Sequence, residues 1–555
     1  MDRYATLLPS GGRRVVAVVA DGSVTREVTP YLDDFGDDDV LLLTGSDPPA
    51  VARDGVAVRV CPGLDDVHQA LKETGPVDLV VVVRRMGSAD HLRAWQRLFF
   101  HLRPGGAYVV DRTGVADDDR VFERSLSASA WLIGTSEDDL PAMPRVRRER
   151  LLAIGEVLQA PDYLIATKRR RHLLKVREYE APALLPVRSR HRLEVRELAA
   201  EPGGTFTSSA RIHSYEATHP IPHLETAFDH PPIRMRHYEG PIVLGHNGLA
   251  ISGDSVLPES FRYHQVRAPK TAAPDVGPAW VRRPRGLASP RHLDGRFYYL
   301  DYRFAGHFGH FMTDALSRLW GWDQAKRELP DLKILFGTRP WKPTTSQLEY
   351  SVLKGFGIDR ADVVRVEEPV TVDAMVGVTP LWHNSPPYHA NPRTTEIWSR
   401  LGGMAAGDAP RPERIFVSRR TGLKNRDCTN ADEVERFFAD RGFEILYPED
   451  HPLAVQAGIF AHARVVAGFG GSGLFNLAFA QQVETLIILN HEWYGARNEH
   501  LIACLLGVDT HYFWNEAVTA PKTPGVYDAD AYQSAWRFDF ARHGERLDGL
   551  VRSVP

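Results

Sequence analysis

The segment that most constrains this chain is Gly468-Phe-Gly-Gly-Ser-Gly-Leu-Phe-Asn476, which follows the apolar run Ala463-Arg-Val-Val-Ala467 and precedes Leu477-Ala-Phe-Ala480. A buried strand that enters a glycine-rich turn and then a helix is the repeating unit of a parallel α/β sheet. Such a turn serves one of two ends. Its glycines let strand and helix pack closely, or the N–H groups left free at the helix start bind phosphate. Upstream, Arg411, Arg414, Arg419, Arg420, Lys424 and Arg426 crowd one stretch, and the strand Arg414-Ile-Phe-Val-Ser418 delivers Arg419 and Arg420 at its C-terminal end. Ligands of open α/β sheets sit at that end. Arginine there offers a planar, permanently charged fork that suits a diphosphate. Strand alternation turns one of the pair away from such a ligand, and Arg420 is the first candidate to face it.

Earlier parts of the chain alternate in the same way. Val15–Ala20, Val40–Thr44, Leu79–Val83 and Ala107–Val110 read as buried parallel strands, with helices at Asp65–Glu73 and Ala89–Leu102, so residues 1–170 are expected to form a Rossmann-like domain. Asp78–Val83 followed by Leu102-Arg-Pro-Gly-Gly-Ala-Tyr-Val-Val-Asp111 resembles the second half of an S-adenosylmethionine-dependent methyltransferase. The first turn, Ala20-Asp-Gly-Ser-Val-Thr25, lacks the repeated glycines that admit a cofactor, and Val40–Thr44 ends in Gly45-Ser46-Asp47 with no acidic residue at once to take ribose hydroxyls. A cofactor-free scaffold or docking domain is the expectation. Lys168 to Arg192, with Arg169, Arg170, Arg171, His172, Lys175, Arg177, Arg188 and Arg190, reads as a solvated basic face between domains, or as a docking site for an acidic acceptor or an anionic membrane surface. Ile242–Ser252 reads as a hairpin around His-Asn-Gly, and Gln265–Arg291, rich in proline and basic residues, as an irregular excursion. From Arg296 the α/β alternation resumes, breaks at Gly407-Asp-Ala-Pro-Arg-Pro412, and begins again. Two facing Rossmann-like lobes, 171–407 and 408–555, are predicted, giving an α/β chain throughout.

A series of short motifs runs through these two lobes. In order come Gly306-His-Phe-Gly-His-Phe-Met-Thr-Asp-Ala-Leu-Ser-Arg-Leu319, Ile415-Phe-Val-Ser-Arg-Arg420, Arg426, Asn430, Gly442-Phe443, Tyr447-Pro-Glu449, Gln456 and Gly468–Asn476. Their order over residues 172–515 resembles glycosyltransferase family 61, the DUF563 group. The family usually has His where this chain has Gly470, and Asn where it has His307. The resemblance implies a GT-B pair of lobes, with the acceptor side in 171–407 and the donor side in 408–555. It further implies an inverting, metal-independent enzyme of polysaccharide biosynthesis that moves a sugar from a nucleotide-sugar donor, UDP-linked, to a glycan or other hydroxyl acceptor, with no cofactor.

That chemistry needs a clamp for the leaving diphosphate and a base for the acceptor proton. Arg419, Arg420 and Arg426, with the backbone of Gly471, Ser472 and Gly473, are the donor-binding candidates; Asn476 caps or pins the turn, and Glu499 is a candidate ribose acceptor. His310 and Asp314 fall on matching family positions and lie four apart, on one helical face, where a carboxylate can orient an imidazole. The base is one of His307, His310 or Asp314, a choice the residues leave open. No metal is expected: His307-x-x-His310 lacks a third partner, and Asp528-Ala-Asp530 lies outside the matching region.

Net charge of −4 gives no general field for nucleic acid, and three scattered cysteines, Cys61, Cys428 and Cys504, exclude a disulfide framework. Met1–Pro9 has no cationic-then-apolar start and no apolar run spans a bilayer, so a soluble cytoplasmic protein is the expectation. The oligomeric state is open. Two other readings stand beside the enzyme: a non-catalytic glycan-binding or scaffold protein with the same fold, and a bifunctional methyltransferase/glycosyltransferase.

Overall fold

In the first sheet, alternate side chains of a single strand enter different cores. Ala17 and Val19 feed one, while Val16, Val18 and Ala20 feed the other. The structure, a computed structural model, describes residues 15–20, 32, 35–36, 38–46, 54–84, 86–111, 143–159, 163–188, 193–245, 248–264, 274–287, 290–302, 304–337, 345–420, 425–523 and 525–555. The first sheet contains β1 (Val15–Ala20), β2 (Asp39–Thr44), β3 (Val56–Val60), β4 (Val77–Val82), β5 (Leu102–Asp111), β6 (Ile154–Gln159) and β7 (Tyr163–Lys168). Their order is β3-β2-β1-β4-β5-β7-β6, parallel from β3 to β5 with an antiparallel pair at the end. Its 3-2-1-4-5 part is doubly wound, as the alternation predicts. The turn after β1 on which the cofactor argument rests lies outside the described residues, as do Asp47, the His246-Asn247 hairpin tip, Lys424, Arg190 and Arg192.

The basic run 168–188 divides, with Arg169 and Arg171 exposed as a solvated face predicts and four other basic residues buried. Lys168 is 2% exposed, and His172, Lys175 and Arg188 are buried with it. Lys168 Nζ donates to the carbonyls of Phe100 and Leu102 at 2.8 and 2.5 Å, which closes the C-terminal end of the Ser88–His101 helical segment. Arg188 donates to the Lys72 carbonyl and to Ser255 Oγ, and His172 Nε2 lies 3.2 Å from Glu149 Oε1. Lys168 and Arg188 seal the joint between the first sheet and a second, mixed sheet, because their stems are apolar and backbone carbonyls take up their heads.

The second sheet centres on Ile233–Leu244, antiparallel to Val370–Val378. Val370–Val378, Arg296–Tyr299, Lys333–Gly337 and Val363–Val366 form its main parallel part. The Ile242–Ser252 hairpin forms, with Val243 opposite Ile251. Within the sheet Arg236 joins Glu178 and Glu259 at 2.7 and 2.8 Å, all fully buried. The third sheet runs Glu444–Leu446, Arg414–Val417, Val465–Phe469, Thr485–His491, Asp509–Asn515, Ile212–Tyr215, and every neighbouring pair is parallel. Its first five strands follow the doubly wound order 2-1-3-4-5, which places the switch point between Arg414–Val417 and Val465–Phe469. The sixth strand is lent by the chain segment between two strands of the second sheet, Glu194–Glu201 and Ile233–Leu244. A single core joins the second and third sheets, from Met235, Leu316 and Val376 to Val417, Val466 and Ile488. Among the described residues no helix is long and apolar enough to cross a membrane.

Candidate functional site

Two motifs far apart in the sequence meet at one glycine. A Cβ on Gly309 would lie 2.8 Å from Phe475 Cε2 and 3.0 Å from Ser472 Cβ, so the helical turn before His310 rests directly on the turn after the glycine-rich segment. The helix begins at Phe308, passes through a π-helical turn at Phe311–Ala315 and continues to Glu328. Such π turns widen a helix locally and recur at functional sites.

On that turn His310 Nδ1 lies 2.9 Å from Asp314 Oδ2, and Arg262 Nη2 lies 2.7 Å from Asp314 Oδ1. Arg262 also donates to Asn384 Oδ1 at 2.8 Å. Burial pushes the Asp314 carboxyl up, but the Arg262 guanidinium and the His310 hydrogen bond outweigh it and hold the group well below the usual carboxylate range. The same contacts favour the anionic form of Asp314. His310 is partly exposed, with Phe304 against its ring at 4.3 Å and the exposed His307 edge-on at 5.0 Å. The structure thus brings His307, His310 and Asp314 together and adds Arg262, which nothing in the sequence around it, Ser255–His264, singles out.

On the other side, Gly471 has φ 153° and ψ −177°, a region open essentially to glycine alone. A Cβ there would lie 3.2 Å from Arg419 Nη1 and 3.4 Å from Arg426 Nη2, so two guanidiniums flank this one residue. Arg419 follows the C-terminal end of Arg414–Val417 and Gly471 that of Val465–Phe469, which is the switch point. Arg426 itself takes φ 59°, uncommon for a residue with a side chain. Its backbone N–H donates to Gln533 and its carbonyl accepts from Trp536 Nε1, while its guanidinium lies 4.1 Å over the Tyr494 ring and 5.5 Å from that of Tyr532. Burial and the neighbouring Arg426 lower the pKa of Arg419. Glu499 is buried against this cluster: burial raises its carboxyl, partly offset by Arg426, the Gly471 N–H and Tyr494, whose hydroxyl is 3.3 Å away. Burial and Arg426 drop His491 to about 3, so its ring is neutral beside them.

The remaining candidates divide. Arg420 turns away from Gly471: it pairs with Asp450, and its guanidinium lies 4.2 Å over the Tyr447 ring. Arg419 is thus the member of the pair at the glycine turn, although both line a small adjoining pocket with Arg426, Asp427 and Cys428. Asn476 is fully buried and donates to the Gly473 carbonyl at 3.0 Å, pinning the turn from inside. Ser472 abuts the Gly309 turn, and Gly473 packs on Val417. At Gly470 a Cβ would fall 2.3 Å from Asn490 Nδ2, so Asn490 fills the space that a side chain there would need. Asp528 caps the short helix Ala529–Tyr532 through the N–H groups of Asp530 and Ala531, which accounts for the Asp-Ala-Asp motif. A larger cleft of about 1000 Å³ lies elsewhere, between the first and second sheets, and its Lys72, Arg93 and Arg97 are each paired with a carboxylate.

Residues 308–488 match the family model described as Glycosyltransferase 61, a span that holds His310, Asp314, Arg419, Arg420, Arg426 and Gly471–Asn476 and leaves out His307 and Glu499. No curated protein matches the chain. Among solved structures, the MycE methyltransferase from the mycinamycin biosynthetic pathway, in complex with Mg and SAH, is 18% identical over 29% of this chain and 42% of its own, with a TM-score of 0.23. The antibiotic-resistance methyltransferase Kmr is 16% identical over 29% of this chain and 89% of its own, with a TM-score of 0.19. An O-methyltransferase family protein from Burkholderia thailandensis is 18% identical over 29% and 52%, with a TM-score of 0.17. The chain spans less than half the length of the MycE enzyme. Over residues 308–488, then, this chain is similar to the glycosyltransferase 61 family.

Proposed function

We propose that this chain is an inverting glycosyltransferase that moves a sugar from a nucleotide-sugar donor, UDP-linked, to a hydroxyl of a glycan or similar acceptor. One observation carries the reading. The contact of Gly309 with Ser472 and Phe475 joins the His310–Asp314 pair to a glycine turn flanked by two guanidiniums. In this reading His310 Nε2 removes the acceptor proton while Nδ1–H stays on Asp314. The acceptor oxygen bonds to the anomeric carbon as the carbon–oxygen bond to the diphosphate breaks, inverting the centre. Charge then grows on the leaving diphosphate, and Arg419 and Arg426 meet it with cations already in place, so transfer is assigned to these side chains without a metal. Glu499, beside Arg426 and the Gly471 N–H, offsets part of that positive charge and tunes how strongly an anion is held. Arg262 keeps Asp314 charged and is a positioning residue. A thermal-shift screen of the full chain against nucleotide sugars tests the reading, with UDP-sugars expected to raise the melting temperature and a flat response across the panel counting against it.

A further inference from the structure

The edge strand Ile212–Tyr215 joins the third sheet through Asp509–Asn515, with His213 opposite His511. There the rings of His213 and His511 stack at 4.5 Å with planes 7° apart. Asp509 Oδ1 lies 2.9 Å from His213 Nε2 and 3.6 Å from His511 Nε2, and the three ligand atoms all fall within 4.8 Å of one another. That carboxylate oxygen is buried, yet it accepts no hydrogen bond from the described residues, because neither imidazole nitrogen meets it with donor geometry. Two imidazole nitrogens gathered around a buried carboxylate oxygen that has no donor form the kind of cluster a cation satisfies. Metal–ligand distances of roughly 2.0–2.2 Å put two ligands of one tetrahedral ion about 3.4 Å apart, a value that falls between the two His–Asp separations here.

The outer contacts are those of a ligand set. Arg211 Nη2 holds Asp509 Oδ2 at 2.5 Å and leaves Oδ1 for the ion. Tyr215 Oη lies 2.9 Å from His511 Nδ1, and with the proton on Nδ1 the Nε2 lone pair is free. His213, 40% exposed, leaves a side open to water as the fourth ligand.

We propose that His213, Asp509 and His511 bind one divalent first-row transition metal, zinc foremost, which pins the borrowed edge strand to the third sheet. Two imidazoles and a carboxylate favour such ions over calcium or magnesium, which prefer all-oxygen shells. His213 lies far in the sequence from Asp509-Thr510-His511, so no spacing motif reveals the set. The role is structural: an ion here ties the segment between Glu194–Glu201 and Ile233–Leu244 to the sheet that carries Arg419 and Gly471, whatever reaction those residues support.

The test uses the full chain without an affinity tag, stripped with EDTA and dialysed, then titrated with zinc chloride by calorimetry and with cobalt(II) by visible absorption. One ion per chain is expected, with cobalt d–d bands of a four-coordinate site and a melting temperature raised by several degrees at saturation. His213→Gln, at a half-exposed edge position, should keep the wild-type circular dichroism and lose at least tenfold in affinity, and Asp509→Asn should lose as much. A wild-type chain that binds no zinc at micromolar concentration, or a His213→Gln chain that binds it as tightly as wild type, overturns the proposal.

Discussion

Arg419 and Arg420 are neighbours in sequence and opposites in setting, so replacing each with alanine separates donor binding from surface chemistry. Arg419 lies beside Gly471 with Arg426 on the other flank. A charge-assisted contact from such a group to a diphosphate contributes about 1.5–3 kcal/mol. At about 1.4 kcal/mol per decade, Arg419→Ala should weaken binding of nucleoside diphosphate by roughly ten- to a hundredfold. Folding should not suffer, because removing one of two adjacent guanidiniums relieves their repulsion. Arg420, whose side chain is 56% exposed, has only the Asp450 pair and the Tyr447 face to lose, worth roughly 0–1 kcal/mol of stability. Arg420→Ala should therefore bind within about threefold of wild type. Calorimetric titration of both variants with UDP, with melting curves as a control for folding, gives the answer. Equal losses in the two, or a loss in Arg420→Ala alone, would refute the assignment of Arg419 to the phosphates.

Three further outcomes follow from the same geometry. Arg262→Ala leaves the buried Asp314 carboxylate with His310 alone and should cost about 3 kcal/mol. Because the depressed pKa of Asp314 contributes stability above the ordinary aspartate value and loses it as pH falls, melting curves should show a larger deficit at neutral than at acid pH; an equal deficit at both would count against the ion pair. Glu499, whose carboxyl is raised, should take up a proton when an anionic donor binds, so donor affinity should fall as pH rises through that range and become flat in Glu499→Gln; a slope that survives in the variant would remove Glu499 from the site. Gly309→Ala forces a methyl to within 2.8 Å of Phe475 and should cost about 1–3 kcal/mol while slowing transfer, and unchanged melting would mean that the junction yields freely.

The strands were the most legible part of the chain, since runs such as Val15–Ala20 and Val465–Ala467 are apolar on both faces and only a covered parallel sheet accommodates that. The His310–Asp314 spacing was legible for the same kind of reason, because four residues along a helix return to one face. What was not legible depends on partners distant in sequence. Alternation says that one of Arg419 and Arg420 faces the glycine turn, but Asp450 and Tyr447 decide which. The basic run near Lys168 reads as solvated from charge alone, and it is the open carbonyls of Phe100 and Leu102 that draw Lys168 inside. Arg262 stands in a stretch with no periodicity, so its bond to Asp314 has no signature in the sequence.

The central claim is that His310 serves as the base of a glycosyl transfer whose donor is held by Arg419 and Arg426. The most direct measurement is donor-dependent release of nucleoside diphosphate by wild type and His310→Ala, each with a separately measured donor affinity. The account predicts release by wild type with a UDP-sugar and a hydroxyl acceptor, a fall of about a hundredfold or more in His310→Ala, and donor affinity unchanged between the two. Turnover in His310→Ala equal to wild type, or no release from any nucleotide sugar, would contradict it.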